Sequence, residues 1–206
     1  MVYIITGGPA SGKGTRSEIL ANALNIPHIS TGDLIREVAK KDEEISAKLK
    51  RGELISDEVM TRLLEDRIAK GDCKNGLVLD GYPRTLEQIK LLDGVLAKFD
   101  MKVDKVIELT VPDELVYRRI LERKKCDNCG KMYGIDFPPK VNDICDDCGG
   151  KLSVRADDTK ETLKARIDIY KENSKEILEY YKKLGILKTV DSSSHPERMV
   201  EEATND

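Results

Sequence analysis

Gly7-Gly8-Pro9-Ala10-Ser11-Gly12-Lys13-Gly14-Thr15 sits between the apolar run Val2–Thr6 and a stretch that reads as a helix. In that setting the loop's N–H groups and the helix N-terminus converge on one point, which suits an anion. Glycine is needed where the backbone takes unusual dihedrals or approaches a phosphate closely, and Lys13 reaches the terminal phosphates as a point charge. The stretch therefore reads as a nucleotide phosphate cradle, with Gly8, Ala10, Ser11, Gly12, Lys13, Gly14 and Thr15 around the donor phosphates. Gly14 stands between Lys13 and Thr15, where the general pattern has Ser or Thr straight after the lysine. The usual side-chain ligand for magnesium is missing.

Working outward, Val2–Thr6, His28–Ser30, Leu77–Asp80, Lys105–Thr110 and Ile186–Val190 are strand candidates separated by amphipathic stretches. Such alternation predicts a parallel sheet of five strands wrapped by helices, a three-layer αβα domain of the P-loop NTPase type. Leu163, Ile167, Tyr170, Ser174, Ile177, Tyr181 and Leu184 recur at helical steps and predict a long core helix. Pro112 with Asp113 and Glu114 predicts a helix start, proline in its first turn, ending near Arg123. Two segments break the alternation. Residues 31–72 are mostly helical, with Val59, Met60, Leu63, Leu64 and Ile68 as a stripe after Ser56-Asp57-Glu58. Residues 124–156 hold cysteine pairs, Pro138-Pro139 and glycines with little periodicity. The expected division is a core of 1–30, 73–123 and 157–206, an insert at 31–72 and a small lid at 124–156. Leu77-Val78-Leu79-Asp80 ends in a carboxylate, an arrangement that places Asp80 beside a phosphate-bound magnesium and its waters.

With 206 residues, of which 39% are hydrophobic, the chain can bury one substantial core. Its charged fraction is 35%, yet the net charge is only −3, so nothing demands a polyanion such as nucleic acid as partner. The opening Met-Val-Tyr-Ile-Ile-Thr-Gly-Gly is too short an apolar run for a membrane span or signal peptide, and the expected location is cytoplasmic. Cys126-Asp-Asn-Cys129-Gly130 and Cys145-Asp-Asp-Cys148-Gly149 are separated by 15 residues, spacing that suits a four-thiolate zinc ribbon. Zinc is the expected ion and iron the alternative. Four protein ligands leave no open position, so the metal is structural, holding together a lid too small for a core of its own. Cys73 stands alone.

The variant Gly-x-Pro-x-x-Gly-Lys-Gly-Thr resembles the adenylate kinase family, as do Ile29-Ser30-Thr31-Gly32-Asp33-Leu34-Ile35-Arg36 and Leu79-Asp80-Gly81-Tyr82-Pro83-Arg84-Thr85-Leu86-Glu87-Gln88. The resemblance continues through Arg119, Arg123, the cysteine lid, Arg155-Ala156-Asp157-Asp158 and Arg166. It implies magnesium-dependent transfer, ATP + AMP ⇌ 2 ADP. It also implies an AMP site of Thr31, Arg36, Gly81, Arg84, Gln88, Arg155 and Arg166, and a donor site completed by Arg119 and Arg123. Lys13, Arg84, Arg123, Arg155 and Arg166 would neutralise the transferring phosphoryl group, Asp80 and Asp33 would hold magnesium through water, and Tyr82-Pro83 would be a cis peptide. The residues alone leave other readings open: Thr31 as a helix cap, and Thr85-x-x-Gln88 as a capping box. Three residues depart from the family pattern, Ala10, Glu122 and Lys124, the last standing where the family often has arginine, and the first two bear on rate. Ala10 replaces a glycine and fits only with φ below zero, and Glu122 would bring negative charge near the donor phosphates. The alternatives are a kinase of UMP or CMP, or a P-loop regulatory module whose ribbon docks on nucleic acid.

Overall fold

A computed structural model describes residues 1–155, 158–193 and 200–201; Ala156, Asp157 and His195 lie outside them. Five strands, β1 (Val2–Gly7), β2 (His28–Ser30), β3 (Leu77–Asp80), β4 (Lys105–Thr110) and, after three short ones, β8 (Leu187–Asp191), form one parallel sheet in the order β2-β3-β1-β4-β8. All four residues of β3 are buried, because a central parallel strand is covered on both faces and reads as a continuous apolar run. Alternate residues feed two cores. Ile4, Leu77, Leu79 and Val106 pack with α5 (Leu86–Ala97) and α7 (Lys160–Lys183) through Leu92, Ile177 and Tyr181. Tyr3, Ile5, Val78 and Ile107 pack with Leu20 and Ala21 of α1 (Lys13–Leu24). The fold is the expected three-layer α/β arrangement.

The segment after β2 holds α2 (Thr31–Ala39), α3 (Glu43–Arg51) and α4 (Asp57–Ile68). Met60, Leu64 and Ile68 of α4 are buried in the first core, and Thr162 Oγ1 of α7 donates to the Lys50 carbonyl at 2.6 Å. Residues 124–153 include β5 (Lys124–Cys126), β6 (Met132–Tyr133) and β7 (Leu152–Ser153), an antiparallel sheet in the order β6-β5-β7. Its buried apolar set is only Cys126, Tyr133, Cys145 and Leu152.

Two sequence readings shift in detail, and a third residue is placed. Leu184, assigned to the long helix stripe, is its C-cap and 54% exposed, because Gly185 at φ +73 turns the chain there. The helix after Pro112 is α6 (Asp113–Leu121), with Pro112 as its N-cap. Cys73 is buried in the core at 1% exposure.

The end of β1 is tightly determined. Gly7 has φ +148, and a Cβ built there would lie 2.6 Å from the Leu109 carbonyl oxygen. Gly7→Ala is therefore expected to cost about 1–3 kcal/mol of stability, read as a lower urea midpoint; an unchanged midpoint would show that the strand end shifts without penalty.

Candidate active site

The glycine loop closes around its lysine. Lys13 Nζ donates to the carbonyls of Gly7 at 2.9 Å and Gly8 at 2.8 Å, and the Ser11 N–H returns to the Gly8 carbonyl at 3.2 Å. No acidic residue occupies the first turn of α1, so the positive end of its dipole is left to an anion. The loop needs left-handed backbone at Gly12, φ +80, and also at Ala10, φ +56. The expectation that Ala10 keeps φ below zero is thus overturned. An L-residue there costs about 1–2 kcal/mol, and the methyl recovers part of this by packing against Val116, Ile120 and Leu163. Gly8 and Ser11 do not line the cleft in front of the loop, whereas Ala10, Gly12, Lys13, Gly14 and Thr15 do. Ser11 is fully buried, and its carbonyl accepts from Ser192 Oγ.

That cleft encloses about 1030 Å³ and is lined by Lys13, Arg36, Arg84, Arg119, Arg123, Arg155 and Arg166 together. Burial lowers the Lys13 ammonium to about 8; Asp80 opposes the shift while Arg84, Arg123 and Arg166 add to it. Loss of water, with Arg36 and Arg123 nearby, brings Arg155 down to about 10, and its buried Nε has no hydrogen-bond partner. Loss of water and the Arg166 charge likewise lower Arg84, whose Nε is tethered to the Gly81 carbonyl at 2.7 Å. Arg123 donates to Asp158 through Nε at 2.7 Å, and Arg166 Nη1 stands 3.8 Å from the same carboxylate. Asp80 faces the loop, its Oδ2 being 3.8 Å from His28 Nε2 and 3.7 Å from where a Cβ on Gly14 would stand. Arg119 is buried, with Nη1 and Nη2 donating to the hydroxyl and carbonyl of Ser192 at 3.0 and 2.6 Å and Nη2 paired with Asp136 at 2.9 Å. Glu122 is exposed and does not line the cleft, although its neighbour Arg123 does.

On the other side of the cleft, Thr31 is not the helix cap. Ser30 accepts from the Asp33 N–H as N-cap, and Thr31 Oγ1 donates to the Asp80 carbonyl at 2.9 Å. The Thr85 reading half holds: Thr85 Oγ1 accepts from the Gln88 N–H at 3.2 Å, but Gln88 Oε1 returns to the Arg84 N–H at 2.7 Å rather than to that of Thr85. Gln88 Nε2 donates to Asp57 at 2.8 Å. One residue thus caps α5 and lines the cleft, beside Thr31, Gly81 and an apolar wall of Ile35, Leu49, Ile55 and Met60. Asp33 Oδ1 accepts from Arg36 and from Lys125. The peptide Tyr82-Pro83 is cis. Asp57, Lys125, Asp136 and Ser192, the partners of Gln88, Asp33 and Arg119, were invisible in that role in the sequence; only the first carried a signal, and it read as a helix start.

In the 124–153 sheet, the four sulfurs of Cys126, Cys129, Cys145 and Cys148 lie within 4.8 Å of one another. They are free thiols. Tyr133 Oη donates to Cys145 Sγ at 3.3 Å. Four thiols converging on one point, two of them buried, fit a single soft metal ion.

Compared with known proteins, residues 5–186 match the adenylate kinase family model. The chain belongs to the adenylate kinase family. Among curated adenylate kinases it is 43% identical over 192 residues to that of Caldicellulosiruptor bescii, covering 91% of this chain and 89% of that one. It is 42% identical to that of Thermosipho africanus over 100% and 98% of the two chains, and 42% identical to that of Archaeoglobus fulgidus over 96% and 93%. The molecule is accordingly a nucleoside monophosphate kinase, a phosphotransferase. Among the described residues no helix is long and apolar enough to cross a membrane.

Lys13 supplies a pH test. Its free-protein pKa near 8 must rise when phosphates arrive, because an opposite charge favours the ammonium. Calorimetry of ATP binding in buffers of differing ionisation enthalpy is expected to show proton uptake at pH 8.5 that vanishes at pH 6.5; equal uptake at both would exclude Lys13 as its source.

Proposed function

We propose that the enzyme carries out ATP + AMP ⇌ 2 ADP with Lys13, Arg84, Arg123, Arg155 and Arg166 as the cationic cage around the transferring phosphoryl group. The observation that carries this reading is that all five line one cleft, where loss of water and neighbouring cations hold Lys13, Arg84 and Arg155 below their ordinary pKa. Phosphoryl transfer is mostly positioning and charge stabilisation, and arginine's planar fork grips two oxygens while staying charged. A phosphate monoester has its second pKa at about 6, so the acceptor arrives ionised and needs no general base.

We assign the donor to the glycine loop with Arg119 and Arg123. The acceptor AMP goes to Thr31, Arg36, Gly81, Arg84 and Gln88, with Arg155 and Arg166 between the two. Asp80 and Asp33 are the carboxylates for the waters of magnesium; Asp80 fits better, since Asp33 Oδ1 is engaged by Arg36 and Lys125. Magnesium, when bound with ATP, neutralises charge developing on the phosphate oxygens. Residues 31–72 are read as the acceptor insert and 124–156 as the lid over a core of the remainder. The four thiols hold zinc, outside the chemistry, and reduced thiols agree with a cytoplasmic setting.

A coupled assay with Mg-ATP and AMP, UMP, CMP or GMP offered singly is expected to give fast turnover with AMP alone. Fast turnover with another monophosphate would move the acceptor, and none at all would remove the kinase assignment. In the same assay Arg84→Ala is expected to lower kcat by about 10²–10³-fold, the loss typical of one charge-stabilising donor, with the fold intact by circular dichroism. Chelation is expected to remove one zinc per chain and lower the melting temperature; iron in its place would appear in elemental analysis.

A further inference from the structure

Lys125 belongs to none of the groups assigned above. It lies on β5 immediately before Cys126, its backbone held in register with Met132 on one side and Ser153 on the other. Its stem passes over the turn that follows the first cysteine pair, where a Cβ on Gly130 would stand 3.4 Å from Lys125 Cε. From there Nζ reaches across the cleft to Asp33 Oδ1 at 2.8 Å, a residue 92 positions away on α2. The contact joins the lid to the acceptor insert. The same oxygen also accepts Nε and Nη2 of Arg36 at 3.1 and 2.8 Å. Two cations thus share one carboxylate oxygen, and burial, which alone would raise the Asp33 carboxyl, is outweighed by Arg36 and Lys125, which hold it well below its usual range.

We propose that Lys125 is a positioning residue that makes lid closure respond to the acceptor, through competition for Asp33 between Lys125 and Arg36. The inference rests on the reading of Arg36 as an acceptor-phosphate ligand. A phosphate dianion is a stronger partner for guanidinium than a shared carboxylate oxygen. When the acceptor draws Arg36 away, Asp33 is left to Lys125 and the bridge between lid and insert tightens. By linkage, acceptor binding must then tighten the donor under the lid by the same factor that the donor tightens the acceptor. The metal turn enters this because it fixes the surface over which the Lys125 stem runs.

The test is calorimetric, on the metal-loaded full chain. The affinity of a nonhydrolysable ATP analogue is measured with and without saturating AMP, for the parent, Lys125→Met, which keeps an apolar stem, and Lys125→Arg, which restores charge. In the parent, AMP is expected to tighten the analogue by about fivefold or more, within the usual range of coupling between sites. Lys125→Met should cut that factor by about threefold or more while leaving the analogue's affinity without AMP within about twofold, and Lys125→Arg should restore it. Coupling in Lys125→Met equal to the parent's would overturn the proposal. Arg36→Leu is measured in parallel: a weakened affinity for AMP alone upholds the acceptor reading, and an unchanged one would overturn that reading and this proposal with it.

Discussion

Repulsion among like charges in a poorly hydrated cleft is the constraint around which the molecule is arranged. Lys13, Arg84, Arg123, Arg155 and Arg166 face one space, and the carboxylates that temper them are few, chiefly Asp80 and Asp158. Loss of water disfavours the charged form of a cation whose counter-charge is incomplete, and Lys13 and Arg155 are lowered in that direction. Elsewhere in the fold such charges would be eliminated. Here two of them are held by groups that do not neutralise them: two loop carbonyls for Lys13 and the Gly81 carbonyl for Arg84. Carbonyls orient a cation and leave its net charge available to a phosphate.

The sheet order makes that gathering possible. Because β3 lies between β2 and β1, Asp80 stands in register with Ile5 on one side and Ser30 on the other. The three segments that leave these strands, the glycine loop, the start of α2 and the turn to Arg84, therefore open side by side at the carboxyl ends of a parallel sheet. This is where such folds bind ligands, at the point where the strand order reverses. Thr31 Oγ1 bonding to the Asp80 carbonyl ties the first turn of α2 directly to that edge. The loop is secured from below by Ser192, whose carbonyl accepts from both Arg16 and Arg119 at 2.8 and 2.6 Å.

How much of this was legible follows from the range of the interactions. The sheet strands appear in the sequence within a residue of their true ends, most clearly the central β1 and β3, whose nearly complete burial writes itself as a continuous apolar run. The glycine loop and the cysteine pairs are local in the chain, and their geometry depends on nearest neighbours. Ala10 was misjudged because its left-handed φ is tolerated by packing against α6 and α7, residues more than a hundred positions away. Ser192, Asp136 and Lys125 carry no local signature; a serine after a strand or a lysine among lysines acquires meaning only through a partner brought by the fold. Gln88 was legible as a cap from its spacing to Thr85, but its second partner was not: its amide oxygen accepts from the Arg84 N–H while its nitrogen donates to Asp57, 31 positions away on α4.

Residues 124–153, the proposed lid, show the same dependence on long-range assembly at small scale. Four buried side chains, two of them cysteines, cannot offset the backbone entropy of ordering some thirty residues at about 1–2 kcal/mol each. A metal ion on four thiolates contributes binding free energy as folding free energy, about 10–16 kcal/mol in small zinc domains. The hydrogen bond from Tyr133 to Cys145 and the N–H of Asp146 donating to Tyr133 Oη at 2.7 Å tie the two halves of the site together and fix a ligand's orientation. If these residues act as the lid proposed above, a sheet held rigid in this way would swing as a body, joined to the rest of the chain by a few charged side chains. Asp136 with Arg119 and Lys125 with Asp33 are such contacts. Ion pairs that remain partly hydrated are weak enough to open on every turnover, which a buried apolar interface of the same extent would not be.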